Sequence, residues 1–278
     1  MAAMNQELLT YLSQFVTPRR LQKMHAVLAE RSRYLTVLLE DIYQPHNASA
    51  VLRSCDSCGV QDVSIVEKRN RYRVNPGVEL GTAQWLTLRR YRLEGGSRDA
   101  PDAGEHPSQE AAAPQTARLP ASLVGGALST SKEPVTDAIR ELRERGYRIV
   151  ATTPHGDDVE LGSFDLSRGK AALCFGTEME GLSRQLLAEA DEHLRIPMYG
   201  FVESFNISVS AAIVIYTLTQ RLRRESNFDW RLTDEEREET LLAWLRGSVK
   251  EAPRLEKRFR AERRESHSPA GPENETKR

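Results

Sequence analysis

Between residues 35 and 224, short apolar runs alternate with segments of helical periodicity, and this alternation restricts the chain more than any other feature. The runs LTVLLEDI (35–42), DVSIVE (62–67), WLTLRRYR (85–92), YRIVAT (147–152), AALCFG (171–176) and HLRIP (193–197) read as strands. A helix is expected from about Asn47 to Cys58, where Gly59 suits a left-handed cap. Pro134 opens another, with Val135, Ala138, Ile139 and Leu142 on one face and a stop at Gly146. A third runs from 207 to about 224. Strands alternating with helices predict an α/β fold, a mostly parallel sheet flanked by helices. Residues 5–33 and 232–264 read as charged helices outside that core, the second segment carrying Leu241, Leu242, Trp244 and Leu245.

The expected division is a basic helical extension (1–34), an α/β domain (35–224), a second helical extension (225–264) and a tail (265–278). Within the domain, segment 95–122 has one Leu and no aromatic, Ile, Val or Met. It buries too little apolar surface to offset its ordering entropy and is expected to be a disordered insertion, as is the tail. No apolar run approaches the roughly 20 residues that span a bilayer. The first residues lack a basic segment followed by an apolar one, so no secretory signal is read. Three cysteines do not make a disulfide framework. A cytoplasmic protein without a membrane partner is the expectation.

Ligands of parallel α/β sheets bind at the carboxyl ends of the strands, where three loops here are polar and rich in small residues. In the first, QPHNASAVLRSCDSCG (44–59), Asn47 or Ser49 is expected as the helix N-cap, with Arg53 one to two turns on. Simple capping beside a surface Arg is one reading, and a phosphate-binding helix start is the other. In the second, FGTEMEGLS (175–183), Gly176 and Gly181 flank Glu178, but Leu-Ser follows where a phosphate loop needs Lys-Ser or Lys-Thr. In the third, IPMYGFVESFNIS (196–208), Ser204, Phe205 and Asn206 stand directly before an apolar helix. Cys55 and Cys58 fall within the predicted helix and have no His pair at ligand spacing, so they read as small structural residues. His46 reads as an exposed loop residue.

These loops, in this order, resemble the TrmH-type 2′-O-ribose RNA methyltransferases of the SPOUT superfamily. The family pattern Asn-x-Ser-Ala-x-x-Arg ending at Gly is similar to Asn47-Ala-Ser49-Ala50-Val-Leu-Arg53 through Gly59. Gly-x-Glu-x-x-Gly-Leu-Ser is similar to residues 176–183, and Ile-Pro-Met-x-Gly with Ser-Leu-Asn-Val-Ser to Ile196–Gly200 and Ser204–Ser208. Phe205 stands where Leu is usual, and the 95–122 insertion is not a family feature. The resemblance covers about 18–93 and 134–224. It implies a C-terminal deep trefoil knot that holds S-adenosylmethionine, contacted by Thr152, Gly176, Ile196, Met198 and Phe205. It implies a catalytic set of Asn47, Arg53, Glu178, Ser204 and Asn206. The family proposal makes the arginine a base; a guanidinium, with a pKa above about 12, suits stabilisation of a developing alkoxide better, and both roles stay open.

Residues 1–93 hold 13 Lys+Arg against 8 Asp+Glu in a chain whose net charge is −1. Arg19, Arg20 and Lys23, together with Lys68, Arg69, Arg71 and Arg73, are the candidate RNA contacts. The short basic segment before the first strand is similar to the tRNA type that methylates guanosine 18 in the D-loop. Ribosomal-RNA members and non-catalytic RNA-binding relatives are the alternatives. Residues 207–216 are apolar on nearly every side, so their helix is expected to need cover on two sides. The resemblance supplies a homodimer; helices 232–264 of the same chain are the competing cover.

Overall fold

The computed structural model describes residues 2–72, 81–95, 128–154, 158–225 and 229–266. All but Gly95 of the predicted insertion, all but residues 265 and 266 of the tail, and the candidate Arg73 lie outside these. Along the chain the elements are α1 (Ala2–Ser13), α2 (Pro18–Leu28), β1 (Leu35–Glu40), α3 (Pro45–Cys58), β2 (Asp62–Glu67), β3 (Thr87–Leu93) and β4 (Leu128–Ser131). There follow α4 (Pro134–Glu144), β5 (Arg148–Thr152), β6 (Val159–Glu160), β7 (Ala171–Phe175), α5 (Arg184–Glu189), β8 (Glu192–Arg195), α6 (Ile207–Arg224), α7 (Asp234–Ser248) and α8 (Ala252–Ser266). The chain forms two compact units, residues 29–232 and the paired ends 1–28 with 233–278.

In the larger unit, eight strands form one sheet in the order β4-β3-β2-β1-β7-β5-β8-β6, and every pairing is parallel. Parallel strands are covered on both faces, and β1 shows how the sequence meets that demand. Leu35, Val37 and Leu39 enter one core with Val51 and Leu52 of α3 and Val214 and Leu218 of α6. Leu38, one step out of phase, enters the other with Ile139 and Leu142 of α4 and Leu186 of α5. Gly59 ends α3 in the left-handed conformation, φ +81°. A Cβ there would stand 2.5 Å from the Glu30 carbonyl oxygen, so the position needs glycine twice over.

At the amino end of β2 the buried Asp62 carboxylate is ringed by Arg33, Arg89 and Arg145. Burial alone would raise its pKa, but the three guanidiniums outweigh that and hold it below the ordinary carboxylate range. Much of the basic character of β3 is thus neutralised within the protein, since Arg90 and Arg92 likewise pair with the buried Glu67.

In the smaller unit, α7 packs against α1 and α2, burying Leu241, Leu242, Trp244 and Leu245 together with Leu8, Leu12, Met24 and Leu28. A reciprocal capping box starts α7: the Glu236 N–H donates to Thr233 Oγ1 (3.2 Å) and the Thr233 N–H to the Glu236 carboxylate (2.9 Å).

Candidate active site

The sheet order brings the carboxyl ends of β1, β7 and β8 to one region, and the three loops named above meet there. The first departs from expectation in its cap. Asp41 takes φ +55° directly after β1, Gln44 is the N-cap, and Pro45 opens α3. Neither Asn47 nor Ser49 caps the helix; both lie inside it and are buried. Proline at the first helical position is the signal that outweighed the preference of Asn and Ser for caps.

Freed from capping, the Asn47 amide donates to Glu178 Oε1 at 2.5 Å and to Gln44 Oε1 at 3.3 Å. The same Glu178 oxygen accepts from Asn206 Nδ2 at 2.6 Å, and that amide also reaches Asn47 Oδ1 at 3.4 Å. Asn206 does cap α6: its Oδ1 accepts from the Ser208 N–H (2.8 Å) and hydroxyl (2.6 Å). One carboxylate oxygen therefore gathers α3, the 176–183 loop and the start of α6. Its twin, Oε2, has no hydrogen-bond partner among the described residues and is available to a hydroxyl donor.

Beside this cluster opens a cavity of about 420 Å³. Thr152, Gly176, Ile196, Met198 and Phe205, all five predicted cofactor contacts, line it with Glu178 and Ser204. Thr153, Pro154, Leu182, Glu203 and Ser210 also line it, and sequence reasoning singled out none of these. The Thr152 hydroxyl donates to the Cys174 carbonyl at 2.7 Å, tying the ends of β5 and β7 together. The loop after β7 is pinched shut: Thr177 and Gly181 exchange both backbone hydrogen bonds (2.9 and 3.0 Å), and Gly181 has φ +67°. A Cβ on Gly176 would collide with the Gly181 carbonyl group, so only glycine lets the two strands of the loop approach so closely.

Arg53 is not brought into this cluster. It lies exposed on α3, lines no part of the cavity, and makes no hydrogen bond or ion pair among the described residues. The basic candidates divide. Arg19, Arg20 and Lys23 are exposed on α2. Lys68 and Arg69 are instead neutralised by acids of the protein, Lys68 by Glu40 at 2.7 Å and Arg69 by Asp41 and Glu180 at 3.0 and 2.6 Å. Both candidate RNA contacts are thus charge-paired within the protein, and Arg71 is half-buried. Cys55, Cys58 and Cys174 are free thiols whose burial pushes their pKa up, and no cluster of metal-ligating side chains occurs among the described residues.

A parallel α/β sheet whose strand-end loops line a cavity beside a Glu-Asn-Asn cluster defines the class as an α/β protein with a small-molecule site at its strand ends. The SpoU rRNA Methylase family profile matches residues 121–216. The tRNA (guanosine(18)-2′-O)-methyltransferase of Borreliella burgdorferi is 36% identical over 239 residues, which is 86% of this chain and 90% of that protein. The Thermus thermophilus enzyme of the same name is 30% identical, over 83% of this chain and 97% of its own length. The crystal structure of the Aquifex aeolicus TrmH/SpoU tRNA modifying enzyme superposes with a TM-score of 0.61, covering 84% of this chain and 98% of that one at 23% identity. The chain belongs to the SpoU (TrmH-type) methylase family.

Proposed function

We propose that this protein transfers a methyl group from S-adenosylmethionine to a ribose 2′-hydroxyl of tRNA, at the D-loop guanosine for which its relatives are named. The observation that carries this reading is the Asn47–Glu178–Asn206 cluster at the edge of the cavity, in a chain so similar to those enzymes along most of its length. The cavity suits the cofactor. Its volume falls within the roughly 300–1,000 Å³ of small-molecule sites. Ile196, Met198 and Phe205 supply apolar wall for a base, and Gly176 leaves the backbone bare on one side. When bound, S-adenosylmethionine supplies an electrophilic methyl group on a sulfonium.

The chain's own part is to orient the ribose and stabilise its oxygen. Glu178 Oε2 is free to accept from a sugar hydroxyl. Arg53 is assigned to the developing 2′-alkoxide, a role that a guanidinium performs without losing its proton. The exposed Arg19, Arg20 and Lys23 are assigned to tRNA phosphates. The return of the chain from β8, beyond β5, to α6 against α3 supports the knotted arrangement of the family. A homodimer completes the reading. Along α6, Val209 and Tyr216 are exposed and Ala212 and Ile213 half-exposed, an apolar stripe at helical spacing that a second copy would cover. The reading places the enzyme in the cytoplasm with its substrate.

The test is incubation of the purified protein with methyl-labelled S-adenosylmethionine and, in parallel, an unmodified tRNA transcript and unmodified ribosomal RNA, with the labelled nucleotide then mapped. Label is expected at the D-loop guanosine and is expected to vanish when that nucleotide is 2′-deoxy. Label on ribosomal RNA alone would move the substrate, and failure to bind S-adenosylmethionine in calorimetry would remove the enzyme.

A further inference from the structure

Two consecutive acids at the end of β1, Glu40 and Asp41, hold structure that neither core accounts for. Asp41 is buried and in the left-handed region at φ +55°, a conformation uncommon outside glycine. Its Oδ1 accepts from three successive backbone N–H groups, of Lys68 (3.0 Å), Arg69 (2.8 Å) and Asn70 (2.8 Å). Its Oδ2 accepts from Arg69 Nε at 3.0 Å, and its carbonyl from Asn70 Nδ2 at 2.9 Å. The turn so fixed presents Arg69, whose two remaining nitrogens donate to both oxygens of Glu180 at 3.0 and 2.6 Å. Glu180 is in turn joined to the rest of its loop, its N–H donating to Thr177 Oγ1 at 3.0 Å. Glu40 takes the far end of the same loop, accepting from the Ser183 N–H at 2.8 Å. The 176–183 loop is thus pinned at 180 and 183 from one dipeptide, with Glu178 between the pins and the pinch at Gly176.

We infer that Asp41, Arg69 and Glu180 form a positioning relay for methyl transfer, setting the loop that carries Glu178 to Asn47 and Asn206. None of the three lies in the Glu178 cluster, so each acts through another group. An exposed ion pair such as Arg69–Glu180, with side chains 62% and 65% accessible, contributes little to stability. Its three-nitrogen geometry, by contrast, fixes a direction. The inference rests on the proposed methyl transfer, and it assigns Arg69 a different job from the phosphate contact expected of it from sequence.

The two jobs predict opposite signs. Were Arg69 an RNA contact, Arg69→Ala would weaken tRNA binding, whereas Glu180→Ala, removing a competing acid, would strengthen it. The relay predicts that both variants fall alike. The measurement is single-turnover methyl transfer at saturating tRNA and S-adenosylmethionine for Arg69→Ala, Glu180→Ala and the double variant. Each single change is expected to slow the step about 10- to 100-fold, the scale of a misplaced catalytic group, and the double no further. Thermal unfolding of all three is expected to stay close to wild type. Hydrogen exchange of the amides in 176–183 supplies a readout independent of activity: both single variants are expected to raise it. Additive rate losses, opposite effects on tRNA affinity, or unchanged exchange would overturn the relay. A wild type that methylates no RNA, with exchange in 176–183 still rising in both variants, would overturn the proposed function and leave the relay as the loop's anchor.

Discussion

Arg53 and Asn47 stand six residues apart on α3 and meet different fates: the amide is buried in the Glu178 cluster, and the guanidinium is in solvent. Six residues turn a helix through about 600°, which puts the two on well-separated faces. The sequence motif holds them as one pattern, while the fold sends them to different neighbours. Charge alone and a positioned planar fork make different demands on position 53, so two substitutions separate them. Arg53→Ala is expected to lower methyl transfer at least 100-fold, about 2.7 kcal/mol of transition-state stabilisation, while S-adenosylmethionine affinity in calorimetry holds. Arg53→Lys keeps the charge and loses the fork. Recovery to within about tenfold of wild type would assign simple charge stabilisation, and a loss equal to that of Ala would assign the oriented guanidinium. Wild-type turnover in Arg53→Ala would take the residue off the catalytic list.

At the scale of elements, β3 and β4 impose a condition that the composition of 95–122 does not reveal. Glu94 and residues 123–127 are all that would join β3 to β4 if the segment were removed. The two strands are parallel, with Arg90 beside Leu128 and Leu93 beside Ser131, and a parallel connection needs about a dozen residues to travel back. Shortening the segment by half is therefore expected to leave thermal unfolding and methyl transfer unchanged. Complete deletion is expected to detach the exposed edge strand β4 and cost about 1 kcal/mol, a shift of roughly 2–4 °C. An unchanged midpoint after complete deletion would show that β4 contributes nothing.

The same elements show what was legible beforehand. β1, β5 and β7 carry unbroken apolar runs (Val37–Leu39, Ile149–Ala151 and Ala171–Phe175) and β2 carries Val63, Ile65 and Val66, because both faces of these strands are buried, and α3 and α4 announce their ends with Gly59 and Gly146. β4 and β6 are four and two residues long, mostly exposed, and lack any apolar run to betray them. The cavity was legible because its lining carries motif residues, and Gly176 is required there by sterics. The anchoring role of Asp41 was not, because an acid after a strand is ordinary in sequence and only its backbone angle and its acceptor contacts with residues 68–70 distinguish it.

At the scale of the whole molecule, the proposed homodimer and the isolation of Arg53 bear on one another. The cavity and the Glu178 cluster are complete within residues 29–232 of one chain, but Arg53 lines no part of that cavity. It sits on the solvent side of α3, the helix that packs on α6, whose apolar stripe is the proposed contact between copies. The helices that competed to cover that stripe, with Leu241, Trp244 and Leu245, bury those residues against α1 and α2. Arg53 would reach a substrate if a two-fold contact on the stripe set Arg53 of each copy at the cavity of the other, and this is what the proposed dimer requires. Sedimentation equilibrium at micromolar protein is expected to give the mass of two chains, and Ile213→Asp to give one. Mixing two inactive variants tests the shared site directly. Arg53→Ala and Asn206→Ala, unfolded together and refolded as mixed dimers, place one intact site in each mixed dimer if Arg53 acts across the interface. Random assortment makes half of the dimers mixed, so about a quarter of wild-type turnover is expected to return. If Arg53 serves its own chain, every site in the mixture carries a defect and no activity returns.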